Sequence, residues 1–207
     1  LEIPESSKSL MQGDVGMLWE EHTNYFTEDS VTRFALANGL ATDKTWIYEY
    51  PQEDALALLL KVDDYKYDAS VTDLLNCEES VEYSKKLSCS RGASRTFLEE
   101  LRGSRGKIVI FGAGHRAVMF INLLQIADVI SAVIDDDERK QGLFIPGTQV
   151  PIESSSYLGD NTVGSCIFAI GIDAEKKLAE LFSSRFDHPL QYYSISPDSS
   201  LALPIFQ

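Results

Sequence analysis

The run Lys107-Ile108-Val109-Ile110-Phe111, leading into Gly112-Ala113-Gly114-His115-Arg116-Ala117, constrains this chain more than any other segment. Its short β-branched stretch reads as a strand buried on both faces. The glycines let the backbone turn sharply, and Arg116–Ile126 then carries apolar residues at helical spacing. A strand that passes through such a loop into a helix fits the GxGxxG/A pattern, in which free N–H groups at the helix N-terminus face an anion. Strand and helix go on alternating downstream. Val129–Ile134 reads as a second strand ending in Asp135-Asp136-Asp137, and Val163–Ile172 contains a third. A charged helix follows from Ala174 to Arg185, and Tyr192–Ile195 reads as a fourth strand. This order implies an α/β fold, a Rossmann-like parallel sheet with helices on both faces. On these residues alone the loop is either a dinucleotide site, with Asp135 placed as a ribose-binding acid, or a tight turn without a ligand.

Composition narrows the class. With 207 residues, 44% of them hydrophobic, the chain has the balance of one large or two small globular domains. Its formal charge of −14 argues against nucleic acid as the main partner, since phosphate neutralisation needs a basic surface. Residues 1–101 carry −11 of that charge and residues 102–207 only −3. Arg102, Arg105, Lys107 and Arg116 gather around the glycine loop, as a solvated face or as a local phosphate site in an acidic protein. No apolar run approaches the ~20 residues of a membrane span, and no leader pattern is present. Cys77, Cys89 and Cys166 have neither disulfide-framework nor zinc-site spacing, and all three read as unreactive. The acidic run Asp135–Glu138 reads as a solvated turn, so no metal is expected. A reduced, cytoplasmic protein is the default expectation.

Upstream, Leu1–Pro4 reads as the end of a strand and Ser6–Gly16 as a loop. Asp29 or Ser30 is placed to cap a helix with Val31, Phe34 and Ala35 on one face, stopped by Asn38-Gly39. Thr45–Tyr50 and Ala55–Val62 read as an antiparallel hairpin. Residues 68–101 read as one or two bridging helices, and Gly103-Ser104-Arg105-Gly106 as a linker.

Asp135-Asp136-Asp137-Glu138-Arg139-Lys140-Gln141-Gly142, followed by Ile145-Pro146-Gly147-Thr148-Gln149-Val150-Pro151-Ile152, resembles the C-terminal domain of the S-adenosylmethionine-dependent sugar C-methyltransferases. That family joins a glycine loop, an Asp-rich strand end and a KQGxxxPGTxxPI run. Arg116 stands where its loop has Lys, Ala117 where it has Gly, and Ala169-Ile170-Gly171-Ile172-Asp173 replaces its Trp-Asn segment. The likeness extends upstream through Glu21-His22, Tyr25-Phe26-Thr27 and the helix ending in Asn38-Gly39-Leu40, with Trp19 where the family has Tyr.

The resemblance implies three parts: residues 1–65 as the C-terminal strands of a truncated class I methyltransferase domain, 66–102 as a helical bridge, and 103–207 as a Rossmann-like domain. It implies C-methylation of a nucleoside-diphosphate keto-sugar. His22 and Glu21 would be catalytic, because removing a proton beside a carbonyl suits a His–carboxylate pair. Gly112, Gly114, His115, Arg116, Asp135 and Lys140 would bind the nucleotide-sugar. S-adenosyl-L-methionine would serve the intact parent, with none expected in this fragment, which alone would be inactive. The sequence leaves the oligomeric state open, with a homodimer among the assemblies it allows. The competing readings are an NAD-type Rossmann domain and a non-catalytic nucleotide-sugar module.

Overall fold

The computed structural model describes residues 1–19, 22–50, 53–62 and 78–206. The chain divides into two compact units, Leu1–Lys85 and Lys86–Gln207.

The first unit holds a three-stranded antiparallel sheet. β1 (Glu2–Glu5) and β2 (Leu40–Tyr48) flank a central β3 (Asp54–Val62), in the order β1-β3-β2. The hairpin register pairs Leu40 with Val62 and Tyr48 with Ala55, so the expected hairpin forms, with β2 starting five residues earlier than its apolar run. Leu56 and Leu58 are buried together with Val31 from α2 (Glu28–Ala37), and Ile3, Phe26 and Leu60 pack against them. Thr27, rather than Asp29 or Ser30, caps α2. Its hydroxyl accepts from the Ser30 N–H while the Ser30 hydroxyl accepts from the Thr27 N–H, a reciprocal capping box. Phe34 is 55% exposed, off the buried stripe, with its ring 5.6 Å from Phe26. The expected loop at Ser6–Gly16 is instead structured: α1 (Ser7–Gln12) ends at Gly13, and a 3-10 turn follows at Val15–Met17. Glu5 anchors this stretch by accepting from the Ser7 N–H and hydroxyl, local bonds that apolar periodicity does not reveal.

α3 (Glu78–Arg105) is one helix of 28 residues. The part of the expected bridge at residues 66–77, with Val71, Leu74, Leu75 and Cys77, lies outside the described residues. The expected linker at 103–106 is a correction: Gly103, Ser104 and Arg105 form the last turn of α3, and only Gly106 breaks it. Packing overrides the weak helix propensity of Gly-Ser there, because Leu98 and Leu101 are buried and Arg102 donates to the Asp128 carbonyl. Arg102 and Arg105 also suit the negative end of the helix dipole.

The second unit is a five-stranded parallel sheet in the order β6-β5-β4-β7-β8. β4 is Lys107–Phe111, β5 Ile130–Ile134, β6 Ile152–Glu153, β7 Val163–Phe168 and β8 Gln191–Ser194. α4 (His115–Leu124) joins β4 to β5 and α5 (Ile172–Arg185) joins β7 to β8, moving in opposite directions across the sheet. Right-handed crossovers then place α4 and α5 on opposite faces. Val109, Ala132, Ile134, Cys166 and Phe168 pack with Phe182 of α5. Ile108, Ile110, Val133 and Ile167 alternate onto the other face and are fully buried. Burial pushes the Cys166 thiol up, which keeps it protonated and inert, whereas Cys89 is exposed. β6 is the strand that sequence reading did not separate: two residues that pair with Val133 and Ile134. Among the described residues no helix is long and apolar enough to cross a membrane.

The capping box yields a direct test. Replacing Thr27 with Ala should lower stability by about 1 kcal/mol, because the Ser30 N–H loses its acceptor in a buried position. Urea unfolding of the Thr27→Ala variant should show that loss with an unchanged denaturant slope.

Candidate functional site

At the C-terminal ends of β4 and β7 the connections diverge, which is the topological switch point where open α/β sheets leave a crevice for ligands. Three loops meet there. Gly112 leaves β4 with φ +105, and its N–H donates to the Ile134 carbonyl at 2.8 Å. A Cβ at Gly112 would lie 2.7 Å from Ile170 Cγ2 and 3.1 Å from the Ala169 carbonyl oxygen, so only glycine fits. The Ala113 N–H donates to Asp135 Oδ2 at 2.9 Å. Gly114 then caps α4 without a side chain and is exposed. A Cβ there would meet no protein atom within 4 Å. Across the crevice, β7 runs out through Ala169-Ile170 to Gly171, which caps α5, again with no side-chain hydrogen bond.

Arg116 and His115 lie in the first turn of α4, both half-buried. Arg116 donates to the Ile170 carbonyl at 3.3 Å and to Ser196 Oγ at 3.0 Å. The guanidinium therefore reaches the loops that follow β7 and β8. The sequence placed the cation correctly in the glycine loop but gave no sign of Ser196 as its partner.

Asp135 and Lys140 come together, but with each other. Lys140 Nζ donates to Asp135 Oδ2 at 2.8 Å, and the Asp137 N–H donates to Asp135 Oδ1 at 2.9 Å. Burial works to raise the Asp135 carboxyl, but Lys140 and the amides of Asp137 and Ala113 outweigh it and hold it below the usual carboxylate range. Asp135 thus ties the glycine loop to the Asp-rich turn. The motif beyond it builds a small lobe: Ile145-Pro146-Gly147-Thr148 forms a type II turn, with Gly147 at φ +79 and the Thr148 N–H donating to the Ile145 carbonyl at 3.0 Å. Asn122 of α4 donates to the Pro146 carbonyl and docks that turn.

Asp135 already accepts from two amides and an ammonium group, which takes up three of the roughly four acceptor positions of a carboxylate. Among the described residues no group of three or more His, Cys, Asp or Glu is placed to hold a metal ion.

His22 lies in the first unit and Glu21 lies outside the described residues. The His22 N–H donates to the Trp19 carbonyl at 3.0 Å. The Tyr25 hydroxyl accepts from the Trp19 N–H at 2.8 Å and donates to the Trp19 carbonyl at 3.1 Å. The imidazole sits between aromatic rings, 4.9 Å from Trp19 and 6.2 Å from Tyr25. Tyr83 of α3 donates to the Asp14 carbonyl nearby. Burial first, then the charge of Asp14, pushes its phenol up and keeps it a donor.

A parallel sheet and a glycine loop that opens a helix define a Rossmann-like unit. Residues 60–164, just over half of the chain, match the C-methyltransferase C-terminal domain family, and the chain belongs to that family. The match runs from β3 through α3, the glycine loop and the Pro146-Gly147-Thr148 turn. No curated protein matches the chain.

Two outcomes check this geometry. Gly112→Ala should lose about 1–3 kcal/mol of stability through its positive φ alone, and Gly114→Ala almost none, as thermal melts would read. The Ala113 amide resonance should titrate with Asp135 at a midpoint below the ordinary 3.8. Because the folded value is depressed, the stability supplied by this tie is present above the unfolded carboxylate range and is lost as pH falls through the folded value.

Proposed function

We propose that this chain is part of an S-adenosylmethionine-dependent C-methyltransferase whose Rossmann-like unit binds a nucleoside-diphosphate keto-sugar. The observation that carries the reading is the pair of helix N-termini, at Gly114 and Gly171, that open on the same switch-point crevice without side-chain caps. Their N–H groups and dipoles suit a diphosphate. Arg116 adds a fixed cation that can hold a phosphate at two points. Gly114, exposed and without a Cβ, lets the ligand approach the backbone closely. His115 stands at the edge of that approach. Asp135 and Lys140 act by bracing the loop.

His22 would take the proton from the carbon beside the keto group, with Glu21 biasing the imidazole toward that role. S-adenosylmethionine would supply the methyl group, and its site is assigned to none of the described residues. The membership in a C-methyltransferase family supports the chemistry. The diphosphate reading rests on the crevice.

Calorimetry on the 207-residue chain tests both parts. A nucleoside diphosphate such as uridine 5′-diphosphate should bind, and S-adenosylmethionine or NAD should not bind at micromolar concentration. Gly114→Val should fold normally yet abolish diphosphate binding, because its side chain occupies the approach path. Unchanged affinity in that variant would remove the loop from the site.

A further inference from the structure

Glu175 is a charged residue for which the reading above has no use. It stands in the first turn of α5 and is only 2% exposed. Ser194 Oγ donates to Glu175 Oε1 at 2.6 Å, and Ser199 Oγ donates to Glu175 Oε2. Each of those hydroxyl oxygens already accepts a backbone N–H. The Ser196 N–H donates to Ser194 Oγ, and the Leu201 N–H donates to Ser199 Oγ, both at 3.0 Å. A hydroxyl has one proton to give. Ser194 and Ser199 each give that proton to Glu175, which accepts at both of its oxygens.

A carboxylate meets that demand. Burial pushes the Glu175 carboxyl above its usual range, and the two hydroxyls and the charge of Arg116 act the other way without reversing it. The result is a closed clamp: Glu175 fixes Ser194 and Ser199, and between them it shapes the loop that carries Ser196. That loop offers Arg116 a side-chain acceptor in Ser196 Oγ.

We propose that Glu175 is a positioning residue for the anion site: through Ser194 and Ser196 it holds the Arg116 guanidinium across the crevice between β4 and β7. The proposal takes its ligand class from the preceding reading, but the hold on Arg116 stands on the hydrogen bonds alone. It assigns a use to a residue that never touches the ligand. It also gives the Ser-rich turn after β8 a part in binding.

The test uses the whole 207-residue chain with two readouts. The first is the side-chain N–H resonances of Arg116 by NMR. Glu175→Gln should shift and broaden them, and unchanged resonances would overturn the proposal whether or not any ligand binds. The second is affinity for uridine 5′-diphosphate and for inorganic pyrophosphate. Glu175→Gln should weaken both roughly fivefold, within the range of one hydrogen bond. The same change made in an Arg116→Gln background should have no further effect. An equal loss in both backgrounds would mean that Glu175 supports the fold only, and would overturn the proposal. Should Glu175→Gln fail to fold, Ser196→Ala serves instead, since it removes the Ser196 Oγ acceptor from Arg116 and leaves the Glu175 bonds intact. It must move the Arg116 resonances and weaken binding, and a Ser196→Ala protein that does neither sinks the idea. If the unaltered chain binds neither anion while Glu175→Gln still moves Arg116, the diphosphate reading falls and the positioning role stands.

Discussion

Strands β4 and β7 lie side by side and send their connections in opposite directions, and the second unit depends on that reversal. It puts α4 and α5 on opposite faces, so that both sides of the sheet are covered and β4 is buried throughout its centre. It also sends both helical connections away from the carboxyl ends of the two strands. Backbone groups there need partners, and the chain supplies some of them internally. Asp135 takes one amide of the glycine loop, and Arg116 takes the Ile170 carbonyl. What is left open is the pair of glycine-led helix starts. The candidate site is therefore a by-product of topology, refined by a few polar ties.

Those ties differ in kind. Asp135 is an anion that the protein provides for its own loop, partly enclosed and matched by Lys140. Glu175 is a second internal anion, more deeply buried and matched by hydroxyls rather than by a direct ion pair. Each neutralises or orients a feature that would otherwise vary. In the first unit Tyr25 and Tyr83 do comparable work with neutral phenols, pinning the backbone around Trp19 and Asp14. The backbone at Trp19 is thus held by the Tyr25 hydroxyl, and the His22 imidazole lies against rings.

Much of the fold was legible because buried parallel strands are written as short β-branched runs, as in Lys107–Phe111 and Ile130–Ile134. The family likeness was legible because the Pro146-Gly147-Thr148 turn needs a proline and a positive-φ glycine at fixed places. Local punctuation misled at Gly103-Ser104, where burial of Leu98 and Leu101 carries the helix through residues that usually end one. α1 was missed because its bonds are polar and short-range. Glu175 was invisible for a subtler reason. An acidic residue in the first turn of a helix is ordinarily a solvated partner of the dipole, and nothing nearby in the chain announces that Ser194 and Ser199, far along the sequence, will enclose it.

α3 has a consequence of another sort. Its early part is anchored by Tyr83 and its later part by Ser94, Leu98 and Leu101, while the turns between 84 and 90 expose most of their side chains. That middle stretch reads Ser84-Lys85-Lys86-Leu87-Ser88-Cys89-Ser90, in which four of the seven residues are serine or cysteine, weak helix formers. None of these seven side chains is buried as those of Tyr83, Leu98 and Leu101 are. Local opening is therefore cheapest midway along an otherwise continuous rod, and amide exchange and proteolytic cleavage should concentrate there before either compact unit gives way.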